Sequence, residues 1–451
     1  MRMAQIGKMM LRMIGCLALS IMIGALLMIC AYALPVEPMY RHVQESIKTI
    51  EQEGKPVPMV SWSGDDTSVH TKLNPWSDHI MLMQAIYPAS DSVVRDAMLN
   101  RRWLFAKGDV NTTDVLLRNL NGGNDGNAEL IYQQLGYTDG TVDASSNSII
   151  YPRYWHGYLT VLKPMLLVTN VGGVRVVNFY LQFVLMVTAI VLFYNRLGLI
   201  YAASFTLVLL TLNPITLAMV FQIDATVYIM LLAVILALWQ NEWLWDNGLY
   251  PYFFLFIGIL TAFFDFFTFP LVGFGIPWLV YCILNKRRLP GFDSMIGLFG
   301  HGACWLLGYA GMWSGKWLVS WLLTGYNTVY DAYLSIGHRV SHTDWLGETI
   351  TPWDAVIQNC TVFFMDPLAF VILAIFCFFV YHIVITKRLV IQGRASATFL
   401  LMAALPFLWY IGLCNHSYIS AGESYRHLVV TEFAALCLFI ENLRDKDETE
   451  V

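Results

Sequence analysis

Phe263-Phe-Asp-Phe-Phe-Thr-Phe-Pro270 interrupts an otherwise apolar run from Pro251 to Leu284, and its reading decides the fold. One helix over the whole run is far too long for a bilayer. It would also put Asn285-Lys-Arg-Arg288 on the opposite face from Arg2, Lys8 and Arg12. A hairpin, with Pro270 opening the second helix, avoids both problems. It returns Arg196, Lys286-Arg-Arg288, Lys387-Arg388, Arg394 and Arg444 to one side, as the excess of Lys and Arg in cytoplasmic loops requires.

The rest of the chain agrees with a membrane reading. Its 451 residues are 57% hydrophobic and 13% charged, against roughly 45–50% and 25% in soluble domains. The fold class expected is an all-α polytopic membrane protein. The net charge of −5 and the absence of a basic run give no reason to expect nucleic acid. The cysteines occur singly in or beside apolar spans, without CxxC or CxxH spacing. Neither a disulfide framework nor a zinc site is indicated, and no tightly bound cofactor is predicted.

Residues 1–34 read as an N-terminal anchor, with Met13 to Leu34 long enough to cross the hydrocarbon core. Ala31-Tyr-Ala33 resembles a signal-peptidase site, but the uncharged run is long for a signal peptide, which favours an uncleaved anchor. Residues 35–153 form a polar first loop containing short helices, placed outside because the basic residues stay inside. Residues 154–441 form the multi-pass domain. It begins with an interfacial helix broken near Pro164, and a second outer segment covers 313–360. Further spans are expected at about 177–195, 199–220, 224–240, 249–267, 270–285, 294–312, 362–384, 396–413 and 427–441, about ten in all. Residues 442–451 are a cytoplasmic tail, so both termini are cytoplasmic.

Polar residues with chemical potential collect on the outer face. Asp78 opens an apolar run after Pro75 and Ser77, where a carboxylate in a first helical turn is favoured and Ser77 can cap. Asp65 and Asp66 read as a turn in Ser63-Gly-Asp-Asp66, and are second-choice carboxylates. Asp265 is harder to dismiss, because an ionisable group in an apolar hairpin is costly. Its structural alternative is a partner such as Lys316 or Arg426. Arg153, Lys163, Lys316 and Arg426 lie at headgroup depth, where they snorkel singly or together hold a phosphate. His156 and His416 lie at the same interface.

Several stretches resemble a bacterial multi-pass membrane family found with surface-polysaccharide genes. They are Tyr154-Trp-His-Gly-Tyr158 with Lys163-Pro164, Gly258 to Pro270, Gly311-Met-Trp-Ser-Gly-Lys-Trp317, and Asn415-His-Ser-Tyr418 with Tyr425-Arg426. The layout is similar to the C-type (GT-C) glycosyltransferases. That resemblance implies a first-loop catalytic carboxylate and a polyprenyl-phosphate-linked sugar as donor. It implies an inverting hexosyl or pentosyl transfer to a glycan, lipid or protein acceptor at the outer face of the plasma membrane. Asp78 and Asp265 are then the catalytic candidates. Arg153, His156, Lys163, Lys316, His416 and Arg426 are the candidates for donor phosphate or substrate. Chemically, one carboxylate takes the acceptor proton while fixed cations stabilise the leaving phosphate. A transporter or flippase for a lipid-linked glycan is the alternative, though it leads one to expect internal repeats and midplane polar groups. A polymerase or ligase would use the same substrates.

Overall fold

The computed structural model describes residues 3–48, 75–88, 90–103, 141–143, 148–265, 267–289, 293–344, 347–365, 374, 377, 381, 385, 387–389 and 393–445. Asp65, Asp66 and most of the span expected at 362–384 lie outside them.

The described chain is mostly helical. Helix α1 (Met3–Tyr32) leads into α2 (Val36–Glu45), and the first loop contributes α3 (Pro75–Ala85) and α4 (Val93–Leu99). Strands β1 (Arg102–Trp103), β2 (Thr141–Asp143) and β3 (Ser148–Ile150) form a small antiparallel sheet in the order β1-β3-β2. Next come α5 (Leu159–Val168), α6 (Val171–Leu197), α7 (Leu199–Thr211), α8 (Pro214–Met219) and α9 (Phe221–Asp246). Helices α10 (Tyr250–Phe264), α11 (Pro270–Leu284) and α12 (Asp293–Thr324) follow, then α13 (Thr328–Arg339) and α14 (Pro352–Met365). Strand β4 (Lys387–Leu389), α15 (Gly393–Gly412), α16 (Cys414–Ile419) and α17 (Ala421–Ser424) precede α18 (Leu428–Glu441). Strand β5 (Leu443–Asp445) then pairs with β4. Among the described residues three helices are long and apolar enough to cross a membrane, at Gln5–Tyr32, Val171–Leu197 and Asp224–Asp246.

The decisive stretch breaks where the sequence predicts. Helix α10 ends at Phe264, Asp265 is extended, and α11 opens with Pro270 in its first turn. The two helices take different partners, α10 packing on α12 and α11 on α9. Contact between α10 and α12 depends on two glycines. A Cβ on Gly258 would lie 2.1 Å from the Trp305 carbonyl oxygen, and one on Gly308 would lie 2.1 Å from that of Leu255. Small residues let helix backbones approach in this way where apolar solvent supplies no hydrophobic drive.

Helix α12 runs unbroken to Thr324, through the start expected for the second outer segment, and carries Lys316 within it. Its Gly311 and Gly315 are packing positions, where a Cβ would strike Leu17 and Ile21 of α1. The run 199–220 is two helices, since Asn213 (φ 59°) turns the chain and caps Thr216 before Pro214 starts α8. Helix α5 passes through Pro164 rather than breaking there, and buries Leu159, Leu162, Lys163 and Leu166.

One end of the bundle gathers the basic loops. Lys286 pairs with Glu441 at 2.9 Å, Arg288 with Glu242, and Arg388 lies opposite Arg444 in the β4–β5 pair. The other end carries the first-loop elements and α13, joined there by Arg153, whose guanidinium lies 3.1 Å from Asp331.

Candidate functional site

A groove of about 730 Å³ runs between α5, α6, α9 and α10. Its lining is almost wholly aliphatic and aromatic, from Met81 and Phe264 at the loop end to Trp243 and Leu249 at the basic end. From Asp224 to Leu244 it follows α9 for about 30 Å at ~1.5 Å per residue, the thickness of a hydrocarbon core. Rim residues such as Leu181, Leu232 and Phe256 are exposed, so the groove opens sideways.

Polar groups gather at its loop end. Helix α3 starts at Pro75, two residues before the expected cap at Ser77, and holds Asp78 in its first turn. The Asp78 carboxylate is buried and caps another helix, accepting the Phe221 N–H at 3.1 Å where α9 begins. The Arg175 guanidinium of α6 lies 3.7 Å from the same oxygen. Asp224, one turn into α9, lines the groove itself. It accepts from Asn178 Nδ2 at 2.6 Å and Gln182 Nε2 at 2.7 Å, and Tyr228 donates to Asn178 Oδ1. The four side chains form a polar bracket across α6 and α9 inside an apolar wall. Tyr158 lines the groove beside it and donates to Gln84 Oε1 at 2.5 Å.

None of the candidate site residues named from the sequence lines the groove; Asp78 comes to its edge through Phe221, which does. Lys163 does not face a wet interface: it is 1% exposed and donates to the Ala85 carbonyl at 2.9 Å, at the C-terminal end of α3. Lys316 is likewise fully buried, donating to Met98 O at 2.8 Å at the end of α4. Burial lowers the Lys163 pKa to about 8 and that of Lys316 to about 7. Each lysine satisfies carbonyls that a helix end leaves without intrahelical partners. Both hold first-loop helices onto the bundle.

Asp265 is tied by Thr226 Oγ1 at 3.0 Å and by the N–H and hydroxyl of Thr268. Lys316 and Arg426, the partners considered for it, are not among its contacts. Its loop is unusual, because Phe267 has φ 67°, a region that bulky residues rarely adopt. Arg339 donates to His416 Nδ1 at 2.7 Å, so the His416 proton sits on Nε2 and is donated to Phe267 O at 2.9 Å. Burial first, and Arg339 second, hold that imidazole neutral. His416 therefore pins the Asp265 loop. His156, also kept neutral chiefly by burial, bonds Tyr158 at 3.0 Å and so approaches the groove through that ring. Arg426 donates to Gly422 O at 2.9 Å and lies over Tyr425, while its buried Nε finds no acceptor among the described residues.

Arg175, Asn178, Gln182 and Asp224 were missed. Arg175, Asn178 and Gln182 fall at i, i+3 and i+7 in an apolar span, which places them on one helix face. That periodicity was the available signal. Among the described residues no cluster of three or more His, Cys, Asp or Glu is placed to hold a metal. A scan of protein-family models finds no match to this chain, and searches of curated proteins and of solved structures find none either.

Proposed function

We propose that this chain is a multi-pass membrane glycosyltransferase. In this reading it crosses the plasma membrane about ten times with both termini cytoplasmic, and it works at the outer face. It moves a sugar from a polyprenyl-phosphate donor to a glycan, lipid or protein acceptor. The observation that carries the reading is the membrane-long apolar groove with Asp224 in its lining at one end and the Asp78–Arg175 pair held beside it on Phe221. A polyprenyl chain needs an apolar, laterally open track, and its phosphosugar needs a polar site where that track ends. Arg175 supplies a fixed cation beside Asp78, and Asp224 faces the space where the donor's head would lie. Such fixed charges stabilise a leaving phosphate without reorganising.

The test is transfer by the purified full chain in proteoliposomes, offered radiolabelled polyprenyl-phosphate hexoses and pentoses with a lipid-linked oligosaccharide acceptor. Ala225 lines the groove one residue from Asp224, so Ala225→Trp should weaken donor binding at least tenfold. Donor movement across the bilayer without transfer would favour the flippase. Cysteine placed at Tyr333 should react with an external reagent and cysteine at Arg288 should not; the reverse would overturn the topology.

A further inference from the structure

We propose that Asp224, rather than Asp78, is the catalytic residue that accepts the proton of the attacking hydroxyl. The inference rests on the glycosyltransferase reading and assigns the roles of its two carboxylates. Asp78 is occupied: it is 1% exposed, holds the first N–H of α9, and stands against Arg175. Its charge is matched and its oxygens serve the join between the first loop and α9. Asp224 differs in each respect. It borders the groove, it is only partly buried, and among the described residues its hydrogen bonds come from two neutral carboxamides, with no cation in ion-pair range.

Those carboxamides do what a proton acceptor needs. Asn178 and Gln182 each donate one N–H to a separate Asp224 oxygen, which fixes the plane of the carboxylate. Each oxygen keeps a second lone pair. Tyr228 and the Ala218 carbonyl hold Asn178 in turn. In the step proposed, Asp224 takes the acceptor O–H proton as that oxygen bonds to the sugar's anomeric carbon. The bond from that carbon to the phosphate oxygen breaks, and its electron pair leaves with the polyprenyl phosphate. The carboxylic acid so formed returns its proton to water once the product leaves. Asp78 and Arg175 position α9 and the donor's head, and Asp78 exchanges no proton.

The same proteoliposome assay, run with a separate donor-binding measurement, tests this. Asp224→Asn should lower turnover by about 10²–10⁴ while donor affinity stays within threefold. The variant should fold, because Gln182 Oε1 has no partner among the described residues and can rotate to accept the new amide. Asp224→Glu should recover part of the rate, and Asp78→Asn should weaken donor binding and turnover together. Wild-type turnover in Asp224→Asn would overturn the assignment and leave the enzyme reading intact. So would an Asp78→Asn variant that binds donor normally and transfers nothing. If wild-type protein neither binds nor transfers any donor, the enzyme reading falls and takes this assignment with it.

Discussion

Asp78 accepts the backbone N–H of Phe221 at 3.1 Å, across 143 residues of sequence. A carboxylate at a helix N-terminus satisfies a donor that has no intrahelical partner and opposes the helix dipole favourably. Asp78→Ala removes both that acceptor and the carboxylate beside Arg175. The expected cost is about 1–2 kcal/mol or more, read as a lower thermal midpoint in detergent. Asp78→Asn keeps an oxygen that can still accept, so it should be the milder change. Equal midpoints for the wild type and the alanine variant would show that this join carries no stability.

Lys316 gives a signed dependence on pH. Its pKa is lowered to about 7 by burial, against an ordinary value of 10.5. Between those values the unfolded chain binds the extra proton, so the stability term associated with Lys316 grows as pH rises. Lys316→Met should therefore flatten the rise in thermal midpoint between pH 7 and 9. It should also loosen α4, because the Met98 carbonyl keeps the Ser320 hydroxyl but loses the lysine. A wild-type slope unchanged in the variant would refute the assignment.

Gly258 has no room for a methyl group. Its Cβ would sit 2.1 Å from a backbone oxygen, which cannot rotate aside as a side-chain tip can. Gly258→Ala should force α10 and α12 apart at a cost of about 1–3 kcal/mol. Gly302→Ala, whose nearest neighbour would be the Phe274 ring tip at 3.7 Å, is the control and should be close to neutral. Similar midpoints for the two variants would contradict the packing described.

Much of the architecture was legible because its signals are local. Pro270 and the lone Asp265 mark the break between α10 and α11 whatever else the chain does. Apolar length alone finds α1, α6 and α9. The extent of α12 was not legible: Gly311 and Gly315 look like loop residues until α1 is known to lie against them. Asn213-Pro214 did carry a local signal for a second helix, and it was outweighed by the hydrophobicity around it. At the site, Asp78 stood out as an acidic residue opening an apolar run. The cations were misjudged for a different reason. Snorkelling is the default for a lysine at headgroup depth, but Lys163 and Lys316 meet helix carbonyls 78 and 218 residues away. Nothing in the local sequence encodes that meeting.

The two lysines bear on how the protein is made. Helices α3 and α4 leave the ribosome early, but the groups that satisfy their C-terminal carbonyls come later, Lys163 by 78 residues and Lys316 by 218. At ~5–20 residues per second, the second interval is about 10–40 s of synthesis. For that time the first loop is made but α4 lacks the lysine that holds it to the bundle. Nascent chains stopped before residue 316 should thus be cut readily by protease near α4, and those extended past α12 should resist. Biogenesis, as much as the finished structure, sets the order in which the face bearing Asp78 becomes competent.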